Sequence, residues 1–218
     1  VFFIYIIMKS LIPNKLLDNS RPFFKSSCLF PDNKKLLLTF QKINKPININ
    51  DILNNHLIIL DRNNQSISFN KIIPKTFKTL IILGSYTCPH WRYFAPKIIL
   101  FCQHNYLSFF FIYTQEAHSN LWIHKQNYTI NINCQYPKTI FQKIFLADQA
   151  YNYVKKKINN LNKYYKNDFD MYVDPINNNL DKIFLSSGLF RVYLIKDNYL
   201  IWNSIPFQFS LSELSSKL

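Results

Sequence analysis

The chain predicts an α/β domain over residues 57–218, a central mixed sheet flanked by helices, behind an N-terminal extension of residues 1–56. Three observations carry that prediction. Residues 79–83 (Thr-Leu-Ile-Ile-Leu) and 107–113 (Leu-Ser-Phe-Phe-Phe-Ile-Tyr) are short, continuous apolar runs of strand formers, the pattern of strands buried on both faces. Between them lies a helical stretch opened by Pro89, a residue favoured in a first turn because its missing N–H has no intrahelical partner there. After them come a long amphipathic helix, further short strands and a capped terminal helix.

In chain order, residues 57–60 and 66–73 read as two hairpin strands around the turn-prone Asp61-Arg62-Asn63-Asn64. The helix from Pro89 carries Trp91, Phe94, Ile98 and Phe101 at helical spacing. Residues 138–160 form a helix with Ile140, Ile144, Ala147, Tyr151, Val154 and Ile158 on one stripe. Residues 169–173, 189–195 and 199–202 read as strands, the last two joined by Lys196-Asp197-Asn198. Ser210 is an N-cap, and Glu213 three residues on completes a capping box. The order βαβ, helix, ββα is that of a thioredoxin-like sandwich.

Composition narrows the function. With 48% hydrophobic residues among 218, the chain buries a full-sized core, and 2 Gly and 10 Pro exclude collagen-like and glycine-rich repeat architectures. Cys28, Cys88, Cys102 and Cys134 are too few for a disulfide scaffold and form no Cys-x-x-Cys, so neither a zinc ribbon nor a two-cysteine redox loop is expected, and no metal. The net charge of +14 comes from 22 Lys against 4 Arg in a chain equally rich in Asn and Ile. That is the mark of A/T-rich codon usage, and it reads as solvated lysines, including Lys155-Lys156-Lys157, rather than as a nucleic-acid face. The apolar residues 1–8 fall short of the roughly 20 that span a bilayer. They read either as a buried strand or as the remnant of an anchor or signal, which would leave a soluble catalytic domain tethered to a membrane.

Cys88 stands at the turn between strand and helix, where unpaired backbone N–H groups and the positive helix end favour a thiolate, provided the sulfur is not sealed in apolar surroundings. A small buried hydrophobe is the bland alternative. Ser85 and Thr87 either bond the sulfur or cap the helix. No resolving thiol lies one turn on, since position 91 is Trp, and Cys102 is four turns away; Cys134 is the remaining candidate for that role. Carboxyl ends of adjacent parallel strands share one sheet edge, so His118 and Glu116 are expected beside Cys88, the histidine handling a proton and the carboxylate fixing its tautomer. Arg92 lies four residues along the helix.

Gly84-Ser85-Tyr86-Thr87-Cys88-Pro89, then Phe111-Ile112-Tyr113-Thr114-Gln115-Glu116-Ala117-His118 and Trp122, resemble the iodothyronine deiodinase family. Its members carry a Gly-Ser-x-Thr-selenocysteine-Pro turn, a Tyr-x-Glu-Glu-Ala-His strand end and a following tryptophan. Pro137-Lys138-Thr139, Val173-Asp174, residues 191–195 and Ser212-Glu213-Leu214 fall in the family's order, so the resemblance covers residues 57–218. It implies a thioredoxin-fold enzyme that removes iodine reductively from a phenolic ring with an external thiol reductant, no bound cofactor, and a homodimer as a further expectation. Cys88 would attack the halogen, His118 supply the proton and Glu116 support it, while Tyr113, Ser85, Thr87, Pro89 and Trp122 support or line the site. Cysteine stands here for selenocysteine, the histidine before the long helix is replaced by Gln135-Tyr136-Pro137, and the Gly-Gly-Arg-Gly-Pro loop is reduced to Asn203-Ser204-Ile205-Pro206. The alternatives are a peroxiredoxin-like thiol peroxidase and a catalytically silent binding module on the same fold.

Overall fold

A computed structural model describes residues 57–74, 77–118, 127, 130–132, 134–161, 168–184, 186, 189–197, 199–204 and 209–218. The extension 1–56, Cys28, Trp122, Asn198, Ile205 and Pro206 lie outside the described residues. The elements are β1 (Ile58–Leu60), β2 (Ser66–Ser68), α1 (Phe69–Ile72), β3 (Thr79–Gly84), α2 (Pro89–His104), β4 (Ser108–Tyr113), α3 (Ile140–Leu161), β5 (Met171–Val173), α4 (Asn179–Ile183), β6 (Arg191–Lys196), β7 (Tyr199–Asn203) and α5 (Leu211–Ser215).

The strands form one mixed sheet in the order β2-β1-β5-β4-β3-β6-β7. β3 pairs parallel with β4, from Thr79 opposite Ser108 to Gly84 opposite Tyr113, and antiparallel with β6 on its other side. β6 turns back into β7, and β5 runs parallel to β4. The segment β3-α2-β4 followed by β6-β7-α5 is the βαβ and ββα arrangement of a thioredoxin-like sandwich, so the α/β fold expected from the sequence is the one observed. Beyond β4 the sheet continues through β5, β1 and β2.

Strand alternation splits the core into two layers. Leu80 and Ile82 of β3, Phe111 and Tyr113 of β4 and Val192 and Leu194 of β6 face α2, α3 and α5. Ile81, Leu83, Phe110, Ile112, Tyr193 and Ile195 face Phe69 of α1 and Leu180 of α4. All six residues of β3 are buried, which is why its sequence shows no polar alternation.

Several expectations shift in detail. Residues 66–73 do not continue as a strand: after Ser68 the chain turns into α1, because Phe69 plugs the second core layer edge-on to Phe110 and Phe184, with centroids 6.2 and 5.9 Å away. The buried stripe of α2 is Trp91, Ala95, Ile98, Ile99 and Cys102, with Phe94 and Phe101 at its margin. The helix α4 was not foreseen. Ser210 does cap α5, accepting from the Glu213 amide, but the Glu213 carboxylate takes the Trp202 indole N–H at 2.9 Å instead of closing a capping box. No helix among the described residues is long and apolar enough to cross a membrane.

Gly84 sets how closely α2 approaches the sheet. A Cβ there would lie 2.3 Å from Cδ1 of the Trp91 indole, which is itself 1% exposed and edge-on to Phe111. Overpacking of this kind costs about 1–3 kcal/mol. Gly84→Ala should therefore lower the melting temperature by roughly 2–12 °C, at about 2–4 °C per kcal/mol for a domain of this size. Scanning calorimetry against wild type measures the change, and an unaltered melting temperature would contradict this account of the β3–α2 contact.

Candidate functional site

Gly84 ends β3, and the Cys88 amide donates to the Ser85 carbonyl at 3.1 Å, closing a four-residue turn. Cys88 is then the N-cap of α2 in extended conformation, with Pro89 in the first helical turn as expected. No side chain caps this helix, so Ser85 and Thr87 have another task.

That task is to fasten the turn to the end of β4. The Ser85 hydroxyl accepts from the Ala117 amide at 3.1 Å, and the Thr87 hydroxyl accepts from the His118 amide at 3.0 Å. Oε2 of Glu116 accepts from the Thr87 amide at 3.1 Å and from the Thr87 hydroxyl at 2.5 Å, while Oε1 accepts from the Tyr113 hydroxyl. The Ser85 side chain also bonds this carboxylate, and the Tyr86 amide donates to the Tyr113 oxygen at 3.3 Å. The structure thus brings Ser85, Thr87, Cys88, Pro89, Tyr113, Glu116 and the backbone of His118 to one sheet edge. The carboxylate also has a role that the sequence did not indicate: it braces the Cys88 turn through Thr87, Ser85 and Tyr113.

The sulfur itself departs from expectation. Cys88 is 2% exposed, and burial raises its pKa above that of an ordinary thiol, so at neutral pH the resting group is SH. Opposing the burial are the backbone N–H groups of Trp91, Phe190 and His90 and the Arg92 guanidinium. Two of these amides belong to the first turn of α2, where they have no intrahelical acceptor. Phe190, just before β6, closes the site from the other side; its ring stacks on Phe94 at 5.7 Å and meets Phe209 edge-on at 5.3 Å. Cys102 and Cys134 are also buried, free thiols. Burial pushes Cys134 to about 11, the Glu116 charge adding to that and Arg92 opposing it.

Sequence reasoning missed the second tie across the turn. Arg92 is buried; Nη1 donates to the Tyr86 carbonyl at 2.5 Å and Nη2 to Oδ1 of Asn127 at 2.6 Å, while Nδ2 of Asn127 donates to the Thr87 carbonyl at 3.0 Å. Nothing in the pattern around Asn127 marks it. Beside this lies a polar group on the same edge. Asp174 accepts from the amides of Leu180 and Asp181, the start of α4. Asp181 accepts from Gln115 at 2.8 Å and from the Ser186 hydroxyl. Lys143 reaches Oδ1 of Asn178 at 2.6 Å and the Pro175 carbonyl at 3.2 Å, and burial lowers its pKa to about 8. Among the described residues no group of three or more His, Cys, Asp or Glu is placed to hold a metal.

The fold and turn together define a thioredoxin-like architecture with a cysteine at its strand-to-helix junction, compatible with thiol oxidoreductase chemistry. No family model and no curated protein matches the chain. Among solved structures, a thioredoxin-like protein from Aeropyrum pernix is 14% identical, covering 85% of this chain and 98% of its own, with a TM-score of 0.45. Thioredoxin from Wuchereria bancrofti is 15% identical, covering 74% and 93%, with a TM-score of 0.38.

Burial raises the Glu116 carboxyl from 4.5 to about 6 against its hydrogen bonds from Thr87 and Ser85. The folded state therefore disfavours the ionised form. This contribution to stability is intact below pH 4.5 and lost as pH rises through about 6, a change of about 2 kcal/mol. Glu116→Gln removes the titration. Urea unfolding from pH 4 to 7 should show the stability of wild type relative to the variant falling by about that amount, and parallel curves would count against a buried, titrating carboxylate.

Proposed function

We propose that this chain is a thiol oxidoreductase that works through the single nucleophile Cys88 and an external thiol. The observation that carries the reading is the sulfur's setting: the N-cap of a 16-residue helix, three backbone N–H groups acting on it, and a buried guanidinium beside it. These groups act on the anion and not on the neutral thiol, so they stabilise whichever step carries charge on sulfur.

The finer reading rests on the resemblance of the two motifs now joined by Thr87 and Glu116. It is reductive dehalogenation of an iodinated phenolic ring. The Cys88 thiolate attacks iodine, the carbon–iodine bond breaks, and the ring carbon takes a proton supplied by His118. Sulfur is left as a sulfenyl iodide. A thiol reductant attacks that sulfur and expels iodide, giving a mixed disulfide and a proton; a second thiol displaces Cys88 and leaves as disulfide. Two thiols thus supply the two electrons that turn C–I into C–H. Ser85, Thr87 and Tyr113 hold the turn rather than the substrate.

The 2% exposure of Cys88 favours a second reading, a binding module that keeps the fold without turnover. Iodide release from iodothyronines with dithiothreitol separates the two. Wild type should release iodide, Cys88→Ala should abolish release, and His118→Ala should slow it about 100-fold, the lower end of what a general acid contributes. Equal rates in all three would leave the silent module.

A further inference from the structure

We propose that Arg92 is the counter-ion of the Cys88 thiolate, a positioning residue that makes this sulfur reactive; the inference rests on the functional reading above. Helical spacing puts residue 92 one turn beyond the N-cap, and its amide donates to the Cys88 carbonyl at 3.1 Å. The guanidinium does not extend to solvent. It folds back over the turn, is 5% exposed, and binds two neutral acceptors, the Tyr86 carbonyl and Oδ1 of Asn127.

A buried cation ordinarily takes a carboxylate partner, since leaving the charge uncompensated is costly. Arg92 makes no ion pair with any described residue. The titratable groups acting on it are Cys88, Tyr153 from α3, Tyr86 and Glu116, and Cys134 feels its charge as well. Glu116 is the one carboxylate among them, and its oxygens are taken by Thr87, Ser85 and Tyr113. Cys88 is foremost of the charges that favour the protonated guanidinium. Deprotonating Cys88 therefore supplies the anion that the guanidinium lacks, in a site where water screens little. Asn127 holds the fork in place, bridging Arg92 to the Thr87 carbonyl beside the cysteine.

The test is the pH profile of Cys88 alkylation by iodoacetamide, followed in the intact protein by mass spectrometry of the Cys88 peptide. Arg92→Met should move the profile to higher pH and slow alkylation at pH 7 about tenfold, the equivalent of one pKa unit. Arg92→Lys, which keeps the charge, should restore most of the rate. If Arg92→Met fails to fold, Asn127→Asp gives the same information: it sets a carboxylate against Nη2, neutralises the guanidinium where it stands, and should shift the profile in the same direction. A variant that melts earlier but alkylates with the wild-type profile would show a purely structural arginine and overturn the assignment. A shifted profile without iodide release in any variant would uphold the counter-ion and remove the dehalogenase reading instead.

Discussion

The arrangement of this sheet edge depends on one buried carboxylate. Glu116 accepts hydrogen bonds from the Thr87 amide, the Thr87 hydroxyl, Ser85 and the Tyr113 hydroxyl. Each donor lies either on the turn after β3 or at the end of β4. Parallel pairing already brings Gly84 opposite Tyr113, but a strand pair constrains only the backbone up to its last rung. Beyond it, Glu116 replaces the ladder with side-chain bonds, and the amides of Ala117 and His118 complete the seam through Ser85 and Thr87. Charge-assisted hydrogen bonds of this kind are roughly twice as strong as neutral ones. Their number offsets part of the desolvation of a carboxylate held out of water, and burial still wins, raising its pKa to about 6.

The same seam accounts for the setting of Cys88. A turn clamped on one side by Glu116 and on the other by the Arg92–Asn127 bridge cannot swing its cysteine outward without breaking bonds to both. Burial and preorganisation are therefore two results of one constraint. Burial raises the resting thiol's pKa, while the fixed amides of His90, Trp91 and Phe190 are already aimed at the sulfur and need no reorganisation when charge develops there. A substrate that reaches this sulfur would meet stabilising dipoles already in position.

The legible parts of this molecule are those governed by local rules. The runs 79–83 and 107–113 became β3 and β4 to within a residue because continuous apolar β-formers have few alternatives, and Pro89 marked the start of α2 because of its chemistry at N1. The approach of the Glu116 strand end to the Cys88 turn followed from parallel-strand geometry. What was illegible depended on distant partners. The helix α4 has only five residues and is capped by Asp174, which sits at the end of another strand. Phe69 left the strand pattern for a socket formed by Phe110 and Phe184. One of the backbone N–H groups acting on Cys88 comes from Phe190, about 100 residues along the chain. The bracing of the turn by Glu116 was illegible because spacing shows that a carboxylate is near the strand end, but not which donors on the neighbouring turn reach it.

The charge distribution follows from the same economy. The buried charged residues among those described are Arg92, Lys143 and Arg191 against Glu116, Asp174 and Asp181, so the interior sums to zero before any thiolate forms. The ion pairs found, Arg62–Asp148, Lys155–Asp168 and Lys196–Asp197, involve partly or largely exposed side chains, and pairs of that kind contribute about 0–1 kcal/mol each. Arg92, Lys143 and Glu116 are instead satisfied by carbonyls, amides and hydroxyls. With three buried cations balanced by three buried anions, the excess positive charge of the described residues lies in more solvated positions, as a lysine surplus driven by composition requires. Within the core, a seventh charge at Cys88 would be the first without an opposite number already counted, and Arg92, bound only to neutral acceptors, is the cation placed to meet it.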